Sequence, residues 1–218
     1  MARAYRLAAL RAENVAGRLR HQLWQLAHGG VPQLPEAVRA DRDAAYYRDL
    51  HEGDAHYRAN NWLVPELGRI VAAKPASVLE IGSGNGRFLR AVAPHVDRVI
   101  GLDWAAQEEG AELPPNATLR TADVLAADLP AVDLVCSADV LEHIAPAALP
   151  GLIHRIHATA PLNYHVLACY DDRHSHLTVM SPGEWLALFL TAAPGYDIRD
   201  LRVRRGKADA LICVIANF

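Results

Sequence analysis

The chain has 218 residues, 51% of them hydrophobic and 22% charged, which suits one α/β domain with additions and a substantial core. A net charge of −3 speaks against a phosphate-binding surface, so nucleic acid is disfavoured as a partner. No apolar run approaches the ~20 residues of a membrane span, and residues 1–20 lack a signal-peptide core, so a cytoplasmic protein is expected.

Residues 1–30 read as an amphipathic helix. Leu7, Leu10, Val15, Leu19, Leu23 and Leu26 recur at three- to five-residue spacing with arginines between them. Gly29-Gly30 ends it, and a proline-punctuated linker follows. Packing against the main domain or a partner is the expectation, with a homodimer through these helices as one form; an anionic membrane or substrate is the alternative for its basic side. Residues 36–74 hold a second helical region rich in Tyr46, Tyr47, His51, His56, Tyr57, Asn60, Asn61 and Trp62. These could line a polar pocket or form the seam of a cap. Residues 1–60 are therefore read as a helical extension or cap and 61–218 as the main domain.

From Ser77 onward strand-like runs alternate with helical ones, the pattern of a doubly wound α/β sheet. Strands are expected at 77–81, 96–103, 117–122, 132–137, 164–169, 198–203 and 210–216, with the last pair antiparallel. Helices are expected at 86–94, near Ala105–Glu109, from Pro146, and from Ser181, where Ser181-Pro182-Gly183-Glu184 is a helix-start signal. Cys136, Cys169 and Cys213 each lie in an apolar run without metal-ligand spacing, and are expected as buried free thiols.

In an open parallel sheet a ligand lies across the carboxyl ends of the strands. Acids stand at four of those ends: Glu80, Asp103, Asp123 and Asp139. After Glu80 the turn Gly82-Ser83-Gly84-Asn85-Gly86 lets a ligand approach the main chain closely. Asp103 is placed where an acid reaches ribose hydroxyls. A carboxylate at the mouth opposes a diphosphate and suits a cation, which favours a sulfonium nucleoside over a nicotinamide dinucleotide.

The run Val78-Leu79-Glu80-Ile81-Gly82-Ser83-Gly84-Asn85-Gly86 resembles the first motif of class I S-adenosylmethionine-dependent methyltransferases. Gly101-Leu102-Asp103-Trp104, Thr121-Ala122-Asp123-Val124 and the stretch from Asp133 to Ile144 are similar to the second-, third- and fourth-strand motifs of their small-molecule branch. The resemblance covers about residues 60–218 and implies a Rossmann-like seven-stranded sheet with an antiparallel last strand. It also implies that Glu80, Gly82, Ser83, Gly84 and Gly86 hold the methionine part of S-adenosylmethionine. Asp103 would then hold the ribose, and Trp104, Asp123 and Val124 the adenine, with Ala138 and Asp139 bordering the methyl group.

Methyl transfer to a hydroxyl needs alignment and a base. His143, after strand four, and His174 and His176, after strand five, are the candidate bases. The expected activity is O-methylation of a small polar acceptor such as a sugar, glycan or natural-product precursor, with no metal. Two alternatives stay open. One is a catalytically silent cofactor-binding subunit. The other is a divalent-metal enzyme, because Asp139, Glu142 and His143 with His174 or His176 resemble a known N/O ligand set.

Overall fold

A computed structural model describes residues 2–28, 31–36, 42–54, 61–105, 112–204 and 209–218. The expected strands are all present: β1 Ser77–Ile81, β2 Arg98–Asp103, β3 Ala117–Thr121, β4 Leu134–Ala138, β5 Leu162–Ala168, β6 Asp197–Val203 and β7 Leu211–Ala216. They form one seven-stranded sheet in the order β3-β2-β1-β4-β5-β7-β6. β1 runs parallel to β2 and β4, and β2 to β3, whereas β6 and β7 are antiparallel. The order reverses at β1, which is where an open sheet leaves a crevice. Val78, Leu79 and Ile81 are wholly buried, as a central strand covered on both faces requires. Each such side chain contributes about 1.5–3 kcal/mol.

The helices are α1 Ala2–His28, α2 Ala44–Gly53, α3 Leu67–Ala72, α4 Arg87–Val92, α5 Leu149–Thr159 and α6 Pro182–Phe189. The start of α6 carries the capping box read from the sequence. Ser181 Oγ accepts from the Glu184 N–H, and the Glu184 carboxylate accepts from the Ser181 N–H at 2.8 Å. The helical piece near Ala105–Glu109, the Gly29-Gly30 stop, His56, Tyr57 and Asn60 lie outside the described residues.

The chain falls into two compact units. The first is Arg42–Val140 with Ala158–Tyr164. It holds β1 to β4, α2, α3 and α4. Tyr164 donates a 2.5 Å hydrogen bond to the buried Glu66, which precedes α3. The second is Met1–Asp41, Leu141–His157 and His165–Phe218. It holds α1, α6, β6 and β7.

Within the second unit α1 packs on α6 and β6, and it does so by its polar side. Glu13 accepts from the Gly183 N–H at 3.0 Å, at the exposed-donor end of α6. The Asn14 side chain accepts from Ile198 N–H at 2.8 Å and donates to Ile198 C=O at 3.0 Å, standing in for a next strand beside the edge strand β6. Arg6 pairs with Asp200, and Arg18 with Asp197 at 2.5 Å. At Gly17 a Cβ would lie 2.9 Å from both the Gly183 carbonyl oxygen and Leu186, so only glycine permits this approach. The leucine stripe that the sequence suggested as the packing face instead points outward: Leu7, Val15, Leu19, Leu23 and Leu26 are exposed. Specific polar partners on α6 and β6 outweigh periodicity here.

Cys136 and Cys213 are buried as expected, but Cys169 is half-exposed. It follows β5 and approaches Cys213 to 3.4 Å between sulfurs.

Candidate active site

The first unit builds a cradle from the ends of β1, β2, β3 and β4. Gly82, Gly84 and Gly86 all have positive φ, as the sharp turn after β1 demands. Gly82 is the tightest point: a Cβ there would fall 2.1 Å from Cγ2 of Val140. The Asp103 carboxylate ties the turn to β2, accepting from the Gly84 N–H at 2.8 Å and from the Ala105 N–H at 2.7 Å. Each oxygen keeps a second lone pair for a ligand hydroxyl.

Glu80 is 1% exposed. Its burial pushes the carboxyl well up, the nearby Asp103 adds to that, and a hydrogen bond from Asn61 partly offsets both. Glu80 Oε2 and the buried Ser83 Oγ make no hydrogen bond among the described residues. A buried carboxylate oxygen with an open valence is a place for a cation or a donor.

Trp104 is half-buried and faces Tyr47 of α2, with ring centroids 6.1 Å apart. That pairing supplies an aromatic wall which spacing along the chain does not announce. Asp123 accepts from the Leu125 N–H at 2.8 Å, so one of its oxygens caps the turn after β3. Val124 and Ala138 are half-buried beside these ends. Asp139 has φ 59°, a left-handed conformation that costs a non-glycine residue energy and is tolerated best by Asp and Asn.

The second unit gathers two of the three candidate histidines. His143 and His176 stand edge to face with centroids 4.9 Å apart. Nδ1 of His143 lies 3.1 Å from the Ser175 carbonyl, and Nδ1 of His176 lies 2.7 Å from the Tyr170 carbonyl. A carbonyl only accepts, so each Nδ1 carries a proton and donates it. His174 is exposed on the same loop.

Asp172 organises that loop. It accepts from the backbone N–H groups of His174, Ser175 and His176 and from the Ser175 hydroxyl, and it lies 4.0 Å from His176 Nε2. Burial alone would raise its pKa. The hydrogen bonds from His176, Ser175 and His174 outweigh it and hold the carboxyl well below the usual range. Glu142 is wholly buried and accepts from the Ala168 N–H at 2.6 Å, which gives it a structural task. The sequence draws the eye to the histidines of the 170–176 loop and away from Asp172. The signal for it is an Asp two to four residues ahead of three chain N–H groups.

A family model described as "Methyltransferase domain" matches residues 54–205. The chain belongs to the methyltransferase domain family. The first unit's cradle fits S-adenosylmethionine, the cofactor of this methyltransferase. The glycine turn leaves its main chain open to close approach, Asp103 keeps lone pairs beside it, and Glu80 Oε2 is without a hydrogen bond among the described residues.

Solved methyltransferase structures share the fold. The 1,6-didemethyltoxoflavin-N1-methyltransferase of Burkholderia thailandensis, with 1,6-didemethyltoxoflavin and S-adenosylhomocysteine bound, gives a TM-score of 0.63 at 20% identity, covering 85% of this chain and 94% of that one. Magnesium protoporphyrin IX methyltransferase from Synechocystis PCC 6803, with bound SAM, gives 0.57 at 16% identity over 83% and 100%. Human N-acetylserotonin methyltransferase in complex with SAM gives 0.57 at 17% identity over 80% of this chain. This chain spans 56% of that human enzyme's length. No curated protein matches the chain by sequence.

Proposed function

We propose that this methyltransferase transfers the methyl group of S-adenosylmethionine to a hydroxyl of a small polar acceptor, such as a sugar, glycan or natural-product precursor. The observation that carries the reading is the tautomer of the histidine pair. Both Nδ1–H groups are committed to backbone carbonyls, which leaves Nε2 as the ring nitrogen that would take a proton from the acceptor. A hydroxyl is a weak nucleophile and must lose its proton as the new bond forms, whereas a neutral amine already carries its attacking lone pair. A pair of poised bases is therefore better matched to oxygen than to nitrogen.

His176 is the residue we assign as the base. The Asp172 carboxylate stands 4.0 Å from its Nε2 and stabilises the imidazolium that proton uptake creates. His143, edge-on to it, orients the acceptor hydroxyl. Glu80, Asp103 and the Gly82–Gly86 backbone hold and align the cofactor, which supplies an activated methyl carbon. His174, exposed on the loop, contacts acceptor rather than taking its proton.

On a divalent-cation reading Glu142 would offer Oε2, because its Oε1 accepts from the Ala168 N–H.

The test is an acceptor panel assayed for release of S-adenosylhomocysteine. His176→Ala should lower kcat by about 10²–10⁴-fold with cofactor affinity unchanged, and His143→Ala by a smaller factor. Full turnover in both variants removes the base assignment. Turnover should survive dialysis against a chelator; rescue only by added divalent metal would replace this mechanism. Cofactor binding without turnover on any acceptor would point to a silent subunit.

A further inference from the structure

Two cysteines that the proposed reaction does not use meet beside the loop that carries His176. Cys169 follows the last residue of β5 and is half-exposed, whereas Cys213 lies within β7 and is wholly buried. Their sulfurs are 3.4 Å apart. A disulfide needs about 2.05 Å between sulfurs, so about 1.4 Å of closure makes the bond.

The two thiols differ in what they can do. Cys169 is open to a small oxidant. Burial pushes the Cys213 thiol well up, and the Cys169 sulfur, Glu142 and Glu13 add to that, so Cys213 is not the first to react. Contact with Cys169 compensates in the second step, because it holds the two sulfurs at a high effective concentration.

The closure falls on one side. Cys213 is paired with Leu201 across the β6–β7 ladder and is packed on every side, so its position is fixed. Cys169 is tied by its N–H to the Leu211 carbonyl at 2.8 Å and then leads out of the sheet. The next residue is Tyr170, whose carbonyl accepts from His176 Nδ1–H at 2.7 Å. The Tyr170 ring also lies against the His176 ring, with centroids 5.1 Å apart. A shift of Cys169 therefore reaches His176 through one peptide unit.

We propose that Cys169 and Cys213 are a redox-active dithiol: a hydroperoxide oxidises Cys169, Cys213 closes the disulfide, and the closure displaces His176. The Cys169 sulfur attacks the hydroperoxide and the O–O bond breaks. Cys169 becomes a sulfenic acid, and its proton leaves with the released alcohol or water. The Cys213 sulfur then loses its proton and attacks the Cys169 sulfur; the S–O bond breaks and hydroxide leaves as water with that proton. Two thiols are oxidised by two electrons and one hydroperoxide is reduced. The consequence for turnover rests on His176 being the base, whereas the disulfide does not.

The experiment treats the full chain with hydrogen peroxide, denatures it, alkylates the remaining thiols and maps peptides by mass before and after dithiothreitol. A Cys169–Cys213 crosslink within one chain should form and be reversed by dithiothreitol, while the buried Cys136 stays alkylatable. In Cys213→Ala, Cys169 should advance instead to sulfinic acid, which dithiothreitol does not reverse. Cys169→Ala changes a half-exposed site, and should leave Cys213 reduced even if the buried variant fails to fold. Histidine ring signals in NMR spectra should show His176 shifted by peroxide in wild type and unmoved in Cys169→Ala. On an acceptor that is methylated, oxidation should lower kcat at least about tenfold, and dithiothreitol should restore it. Absence of the crosslink, or sulfinic acid at Cys169 of wild type with Cys213 still reduced, overturns the proposal. So does a crosslink that leaves the His176 signal in place. A moved His176 signal with unchanged turnover upholds the dithiol and removes the base assignment.

Discussion

Replacing Gly82 by alanine tests the cradle directly. Its φ of +74° costs an L-residue about 1–2 kcal/mol. The added Cβ would sit 2.1 Å from Val140 Cγ2, well inside van der Waals contact, so Val140 or the turn must move by more than an ångström. Overpacking of that kind costs about 1–3 kcal/mol, giving about 2–5 kcal/mol in all. For a chain of this length that lowers Tm by about 4–20 °C, at about 2–4 °C per kcal/mol. Because the displaced turn is the one we propose to hold the methionine part, the Kd for S-adenosylhomocysteine should rise at least about tenfold. Calorimetric titration and thermal melting read the two effects separately. Val140→Ala removes the clashing methyl, so the double variant should recover about 1–3 kcal/mol relative to additivity while the φ cost persists. Gly151→Ala is the control: a Cβ there meets nothing within 4 Å inside α5, and it should be neutral or stabilise by up to ~1 kcal/mol. A Gly82→Ala protein with unchanged Tm, unchanged affinity and no coupling to Val140 would refute the steric argument.

His165 is wholly buried, and burial pushes its pKa down to about 3. A depressed folded-state pKa means its contribution is present above the unfolded value of about 6.5 and is lost as pH falls toward 3. Urea unfolding should therefore show stability falling below pH ~6.5 with a slope up to about 1.4 kcal/mol per pH unit, which His165→Gln removes; parallel pH profiles would contradict this. Asp172→Asn should lower kcat far more than it changes KM and shift the pH–rate profile, because the loop that aims His176 loses its charged acceptor. A structural effect alone would lower Tm and leave that profile in place. The Asp172 carboxyl is held low, so its stabilisation is present above the unfolded value of about 3.9 and disappears as pH falls through and below it.

The amino-acid sequence determined the sheet and the cofactor cradle because both rest on local rules. Period-two or continuous apolar runs bury a strand, glycines allow positive φ, and acids at successive strand ends face one crevice. Each of those signals sits within a few residues of what it controls. Tertiary structure decided the rest. Tyr47 reaches Trp104 across 57 positions of chain, and nothing in either neighbourhood announces it. Nothing near Glu142 in the sequence announces that one of its oxygens accepts from the Ala168 N–H, 26 residues on. The tautomers of His143 and His176 depend on carbonyls supplied by a loop whose shape Asp172 imposes. Most plainly, periodicity located the apolar stripe of α1 but not its direction. Helical spacing gathers leucines on one side without saying whether that side faces protein or solvent. The partners of Glu13, Asn14, Gly17 and Arg18 on α6 and β6 decided which way the leucines point.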